Sequence, residues 1–232
     1  MGGVSIRIAV LALALGLAVP PDPAPAQSAA ERREQLAQIR ERMSDPDPLM
    51  RLAYLEEYAE AKDQTVTMLA VRYALSSDDP DLRATALRLY VASLESLDLE
   101  VELPDAFHAA YPPDSTDERV LEAKEREPIF AFVYGAKVIR LKVTNFDFGS
   151  GRLEVAAMNG LSELDQQFSG EGQVRGTTLT VNARVQLSGG GRSFEPRCSF
   201  MLRPGSDLVL SGEAACQTGP TYPNAKVSMP MF

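Results

Sequence analysis

The sequence predicts an α+β protein: an N-terminal small α-helical bundle followed by a C-terminal antiparallel β-barrel or β-sandwich of about eight strands. Three observations lead there. Apolar residues recur at helical spacing as far as about residue 97. After Pro128 a period-two alternation takes over, punctuated by glycine turns. The charge balance breaks at the same point. Residues 27–128 carry 23 Asp and Glu against 12 Lys and Arg, a net of −11, while residues 129–232 carry 8 against 10, a net of +2. The expected organisation is a signal peptide over 1–26, a helical region over 27–111, a connector, part helix, over 112–127, and a β-rich domain over 128–232.

The first segment has the order of a secretory leader. Arg7 supplies positive charge, Ile8 to Val19 is an unbroken run of 12 apolar residues, and Ala24-Pro25-Ala26 presents small residues at the cleavage position. Cleavage is expected after Ala26, which places the mature chain in the periplasm or outside the cell. A spanning helix needs roughly 20 apolar residues, more than this run supplies. No cysteine follows the run to carry a lipid, and the mature chain is expected to have no transmembrane segment.

The helical region divides at aspartates and prolines. Ser28 to Met43 is Ala-rich and free of Gly and Pro, with Leu36, Ile39 and Met43 at helical spacing. Asp45-Pro46-Asp47-Pro48 starts a second helix, because Pro suits the first turn and acidic groups suit its positive end. That helix runs from Leu49 to Lys62. Asp63 caps a third through Ser76, and Asp78-Asp79-Pro80-Asp81 leads into a fourth from Leu82 to Ser96. Leu99 to Leu103 alternates apolar and acidic residues, as a short extended stretch would. Ser115 with Glu118 has capping-box spacing and predicts a charged helix from Thr116 to about Arg126.

Two of these starts are alike. Asp45-Pro46-Asp47-Pro48-Leu49-Met50-Arg51 and Asp79-Pro80-Asp81-Leu82-Arg83 are offset by 34 residues at Pro46 and Pro80. Over residues 44–97 this resembles the helix start of HEAT-type repeats, an Asp-Pro turn followed by an early Arg. A solenoid normally stacks three or more repeats to bury its core. Only about one and a half are present, so the expectation is a small bundle whose apolar faces are covered by the β domain or by a partner.

Candidate strands are Ile129–Tyr134, Lys137–Phe148, Arg152–Ala157, Gln167–Val174, Thr178–Leu187, Arg192–Arg203, Asp207–Ala215 and Ala225–Met231. Short turns between them imply antiparallel neighbours. Leu179, Val181, Ala183, Val185 and Leu187 form the clearest inward row, opposite Thr180, Asn182, Arg184 and Gln186. A membrane barrel is disfavoured: Pro230, Ser228 and Lys226 make no lipid-facing row, and about 104 residues are too few for eight spanning strands. The two cysteines, Cys198 and Cys216, are the candidate disulfide, on the ground of an oxidising compartment. Facing Leu202 with Leu208 would put Cys198 opposite Gly212, roughly 13 Å from Cys216 along the strand. On that register the bridge needs the second strand to end early.

Catalytic templates fail for want of residues. His108, in Phe107-His108-Ala109-Ala110, is the one histidine, and no G-x-S-x-G elbow or phosphate-loop motif occurs. Gly170-Glu171-Gly172 and Gly189-Gly190-Gly191 read as turns or close strand contacts. Asp147, Glu154, Glu163, Asp165 and Glu171 are the carboxylates available for hydrolytic chemistry. Asp147 stands between Phe146 and Phe148 and so points to the opposite face from both; the plain reading is a solvent-facing strand residue, the alternative a carboxyl whose pKa the apolar rings raise. Arg175, Arg184, Arg192, Arg197 and Arg203 form the one basic feature, a candidate surface for docking the acidic helices or for an acidic partner. The acidic half argues against nucleic acid. The expectation is therefore an exported binding or interaction protein with a protein partner, no cofactor, no metal and no catalytic residue. The alternatives are a small-ligand carrier using the barrel interior and, third, a carboxylate-dependent hydrolase.

Overall fold

The computed structural model describes residues 28–61, 63–112, 114–126, 138–159, 162–163, 169–189, 192–217 and 224–232. Of residues 106, 124–126, 159, 162–163, 187–189 and 192–194 it places the backbone alone. The leader with its Ala26 cleavage site, the candidate strand Ile129–Tyr134 and Asp165 lie outside the described residues.

Four helices come first: α1 (Ala29–Arg42), α2 (Pro48–Glu60), α3 (Gln64–Leu75) and α4 (Pro80–Ala92). A capping box opens α1, with the Glu31 N–H donating to Ser28 Oγ and the Ser28 N–H to Glu31 Oε2. Asp47, Asp63 and Asp79 cap the other three, each accepting N–H groups that the first turn leaves unpaired. Burial is uneven. Only Ile39 is buried on α1, whereas α3 buries Val66, Ala70, Val71, Ala74 and Leu75, and α4 buries Leu82, Ala86, Leu87, Tyr90 and Val91.

The two similar helix starts correspond differently from the prolines first aligned. Asp47 matches Asp79 as cap, Pro48 matches Pro80 as first helical residue, and Arg51 matches Arg83. Arg51 bonds the Asp45 carbonyl at 2.8 Å and the Asp79 carboxylate at 3.4 Å, tying the start of α2 to the start of α4. Arg83 instead donates to the carbonyl of Pro204, at 3.3 Å, in the β half.

The β half holds β1 (Ser96–Glu102), β2 (Val138–Asp147), β3 (Arg152–Asn159), β4 (Ser162–Glu163), β5 (Ser169–Arg175), β6 (Thr178–Arg184), β7 (Leu187–Gly189), β8 (Arg192–Phe194), β9 (Arg197–Pro204), β10 (Val209–Gln217) and β11 (Ala225–Pro230). Two further helices, α5 (Asp105–Ala110) and α6 (Glu118–Arg126), lie between β1 and β2. Strand β1 pairs with β2 on one side and β11 on the other. The ring therefore closes through β1, β2, β3, β5, β6, β9, β10 and β11, each antiparallel to the next. This is an eight-stranded up-and-down barrel, and it resolves the choice between barrel and sandwich. Strand β4 extends the β3 edge, and β7 with β8 makes a separate short hairpin.

Alternation sorts the side chains. Leu97, Leu99, Leu141, Leu153, Val155, Leu179, Val181, Phe200, Leu202 and Leu210 point inward, each at most 1% exposed. Outward positions on β5, β6 and β10 carry Glu171, Gln173, Asn182, Arg184, Ser211 and Glu213. An apolar inside and a polar outside are the reverse of a lipid-embedded barrel with an aqueous lumen. A bulge between Val143 and Asn145 in β2 switches the inward parity, so that Phe146 joins the core after Val143. Among the described residues no helix is long and apolar enough to cross a membrane.

The bundle covers one barrel end. Arg83 reaches Pro204, Tyr90 packs on Phe232 with ring centroids 5.7 Å apart, and α4 lies beside Gly151 in the β2–β3 turn. At the opposite end, Leu103 and Phe107 follow β1 and are buried. Tyr90, Leu103 and Phe107 belong to one continuous apolar cluster running from Ile39 to Met231.

Several details depart from expectation. Strand β1 belongs to the barrel, although its residues fall within the span 27–111 read as helical. Pro196 divides the expected Arg192–Arg203 strand into β8 and β9, its carbonyl accepting the Val185 N–H instead. Asp117, and not Ser115, caps α6, accepting the Arg119 N–H at 2.9 Å, while the Ser115 hydroxyl accepts from the Asp117 N–H. The β9–β10 register also differs. Leu202 faces Gly212, not Leu208, and Cys198 faces Cys216. Leu208 lies in the turn with φ of 58°, and the Gly205 N–H bonds the Val209 carbonyl, so pairing starts later on β10. The cysteines are joined, with Cα atoms 4.0 Å apart.

Candidate interaction face on the barrel wall

Ring closure sets which outward residues become neighbours. Across β3 and β5, Glu154 faces Glu171 and Arg152 faces Gln173. Across β5 and β6, Glu171 faces Asn182 and Gln173 faces Thr180. Across β6 and β9, Asn182 faces Ser199 and Arg184 faces Arg197. The wall therefore carries a middle band of Glu154, Glu171, Asn182 and Ser199, with arginines on either side along the strands.

Two adjoining recesses open on this wall. One, of about 530 Å³, is lined by Arg152, Glu154, Glu171, Gln173, Arg175 and Asn182 among others. The second, of about 630 Å³, is lined by Ser169, Gly170, Glu171, Asn182, Arg184 and Arg197, with Ala183. Glu171 and Asn182 belong to both. Two glycines of β5 fix its seat against its neighbours. A Cβ on Gly172 would stand 2.5 Å from the Leu153 side chain and from the Thr180 carbonyl, and one on Gly170 would overlap the Asn182 carbonyl.

The five arginines singled out in the sequence are separated. Arg175 donates to Gln173 at 2.7 Å, and Arg203 to the Thr178 hydroxyl at 3.2 Å, so both are engaged within the wall at the bundle end. Arg184 and Arg197 stand at the other end of their strands, about 20 Å away at strand rise. The side chain of neither has a hydrogen bond or ion pair among the described residues. The Arg192 side chain lies outside the described residues, its backbone pairing with Gly189. The polar contacts between bundle and barrel come from the helices: Arg83 bonds Pro204, and the Arg72 guanidinium lies 6.0 Å from the centre of the Phe232 ring.

The remaining candidates resolve as follows. Asp147 anchors the β2–β3 turn, accepting from the Ser150 hydroxyl and from the Gly149 and Ser150 N–H groups. Asp147 is exposed, as the solvent-facing reading expects, and the Ser150 hydroxyl above all, then these N–H groups, hold its carboxyl below the usual carboxylate range. His108 is exposed on α5, edge-on to Phe107. Glu163 lies in β4, its side chain outside the described residues. Among the described residues no group of three or more His, Cys, Asp and Glu is placed to hold a metal ion. The sequence reading missed Arg152 and the opposition of Glu154 with Glu171. Both depend on the β3–β5 pairing, which the residues between those strands conceal. No protein-family model, no curated protein and no solved structure matches this chain.

Proposed function

We propose that this chain is an exported, non-catalytic binding protein that engages an acidic protein partner with the outer wall formed by β3, β5, β6 and the start of β9. The observation that carries this reading is the pair of adjoining recesses there, lined by charged and amide side chains. The remainder of the architecture supports it. The inward side chains pack into one core with the helices, and helical segments stand at both ends of the barrel. Export follows from the leader pattern and is supported by the Cys198–Cys216 bond, since disulfides persist in oxidising compartments. A photo-crosslinking residue at Asn182 should capture a partner in the native envelope, while one at Lys226, on the outward face of β11, should not. Equal capture at both positions would sink the assignment of the face.

The facing carboxylates of Glu154 and Glu171 carry a second reading, a carboxylate-dependent hydrolase. Its test is turnover of aryl glycosides by the purified chain. Turnover abolished in both Glu154→Gln and Glu171→Gln would displace the binding reading.

A further inference from the structure

Arg184 on β6 and Arg197 on β9 are direct cross-strand partners. Residues so placed hold their Cβ atoms roughly 5 Å apart, and like charges in that position destabilise a sheet. Surface arginines usually escape such repulsion through a nearby carboxylate. Among the described residues none takes that role. Glu171 lines the same recess but faces Asn182, one pair further along, and makes no ion pair with either arginine among the described residues. Glu195 precedes Arg197 by two residues and is exposed, likewise without an ion pair to it among the described residues.

The surroundings suit an incoming anion. The recess of about 630 Å³ is lined by both arginines, the Ser169 hydroxyl and the Asn182 amide, so donors converge from three strands. Gly170 contributes its backbone to the lining and lies close against Asn182 and Ala183. The pair is also rigidly mounted. Ala183 and Cys198, the neighbours of Arg184 and Arg197, face each other, and Cys198 is bonded to Cys216 on the next strand. A guanidinium presents a fixed fork that matches a carboxylate with two parallel hydrogen bonds. The cross-linked sheet fixes where the two forks start, and each planar fork is itself pre-organised, although the side chains still lose rotamer freedom on binding.

We propose that Arg184 and Arg197 form an oxyanion site that takes the carboxylates of an acidic peptide segment. The proposal rests on the binding reading of this wall and names the chemistry of its partner. The repulsion between the two arginines is relieved when the ligand arrives, so the site trades stability of the free protein for affinity.

The test uses the mature chain with its disulfide intact, titrated with hexaglutamate at low salt, with inorganic phosphate as a parallel arm. The wild type should bind hexaglutamate, more tightly than phosphate. Arg184→Gln and Arg197→Gln should each weaken it about tenfold, and Arg203→Gln should leave it unchanged. Both recess variants should melt at or above the wild-type temperature, since each removes a like-charge pair. Unchanged affinity in the two variants, tighter binding of phosphate than of hexaglutamate, or a marked fall in melting temperature would each overturn the site. Capture at Asn182 that survives both substitutions would remove this site while leaving the binding face in place. Loss of specific capture in the wild type would instead remove the broader reading.

Discussion

Individual residues in this fold matter through what they touch. Gly212 faces Leu202 across β9 and β10, and a Cβ there would overlap the Met201 carbonyl oxygen. No flexible side-chain end can give way, because the obstacle is backbone. Gly212→Ala should therefore cost about 1–3 kcal/mol, as forced overpacking does, read as a lower urea midpoint at unchanged slope. Asp63 works through charge. The Arg32 guanidinium bonds its carboxylate at 2.5 Å and the N–H groups of Val66 and Thr65 add to it, pulling its pKa from 3.8 to about 2. A lowered carboxyl pKa means that the folded form releases the proton more readily than the unfolded chain. The resulting stability is present above 3.8 and disappears as pH falls towards 2. The difference in melting temperature between wild type and Asp63→Asn should be full at neutral pH and close as pH approaches 2. A difference independent of pH would show that the contact is not electrostatic.

At the scale of elements, the β9–β10 hairpin shows where pattern reading succeeds and where it stops. Alternation correctly assigns Cys198, Phe200 and Leu202 to the inside, because period two depends only on strand geometry. Register depends on the turn, and Leu208 adopts a positive φ that bulky side chains avoid. Nothing in its identity announces that. Assigning Leu208 to the strand shifts the pairing by four residues and separates cysteines that are in fact opposed. The bond closes a segment with a sequence separation of 18, for which chain entropy gives about 3 kcal/mol. Reduction, or Cys198→Ser with Cys216→Ser, should lower the unfolding free energy by about that amount. The helix starts show the converse case. Aspartate caps and first-turn prolines act within a few residues, so the starts of α2, α3 and α4 are legible from sequence, whereas α4 stops at Ala92, short of the expected Ser96, which opens β1. The candidate face was legible only in part. Arg184 and Arg197 stood out as charges, but their opposition arises from pairing across Pro196 and the β7–β8 hairpin.

Across the whole molecule, the acidic and near-neutral halves behave as one packed body. Their apolar residues form a single cluster, and Arg83 reaches the barrel from the helix position that matches Arg51. Arg51, on α2, meets Asp79, the cap of α4. Arg83, on α4, meets the Pro204 carbonyl of the barrel instead. Of the two covers expected for the bundle's apolar faces, the β domain or a partner, the β domain covers that of α4, while Leu49 and Met50 on α2 stay exposed.

Strand β1 leaves the helices, crosses the full height of the barrel, and only afterwards does the chain reach the composition break near residue 128. Anyone dividing the gene at that break would discard one stave of the cask. The remaining seven would expose the flanks of β2 and β11, unpaired backbone that invites sticking to other copies. A fragment of residues 128–232 should accordingly precipitate or form mixed oligomers on a sizing column. Supplying a synthetic peptide of residues 94–104 should recover a discrete, tumbling species, much as a missing plank restores a hull.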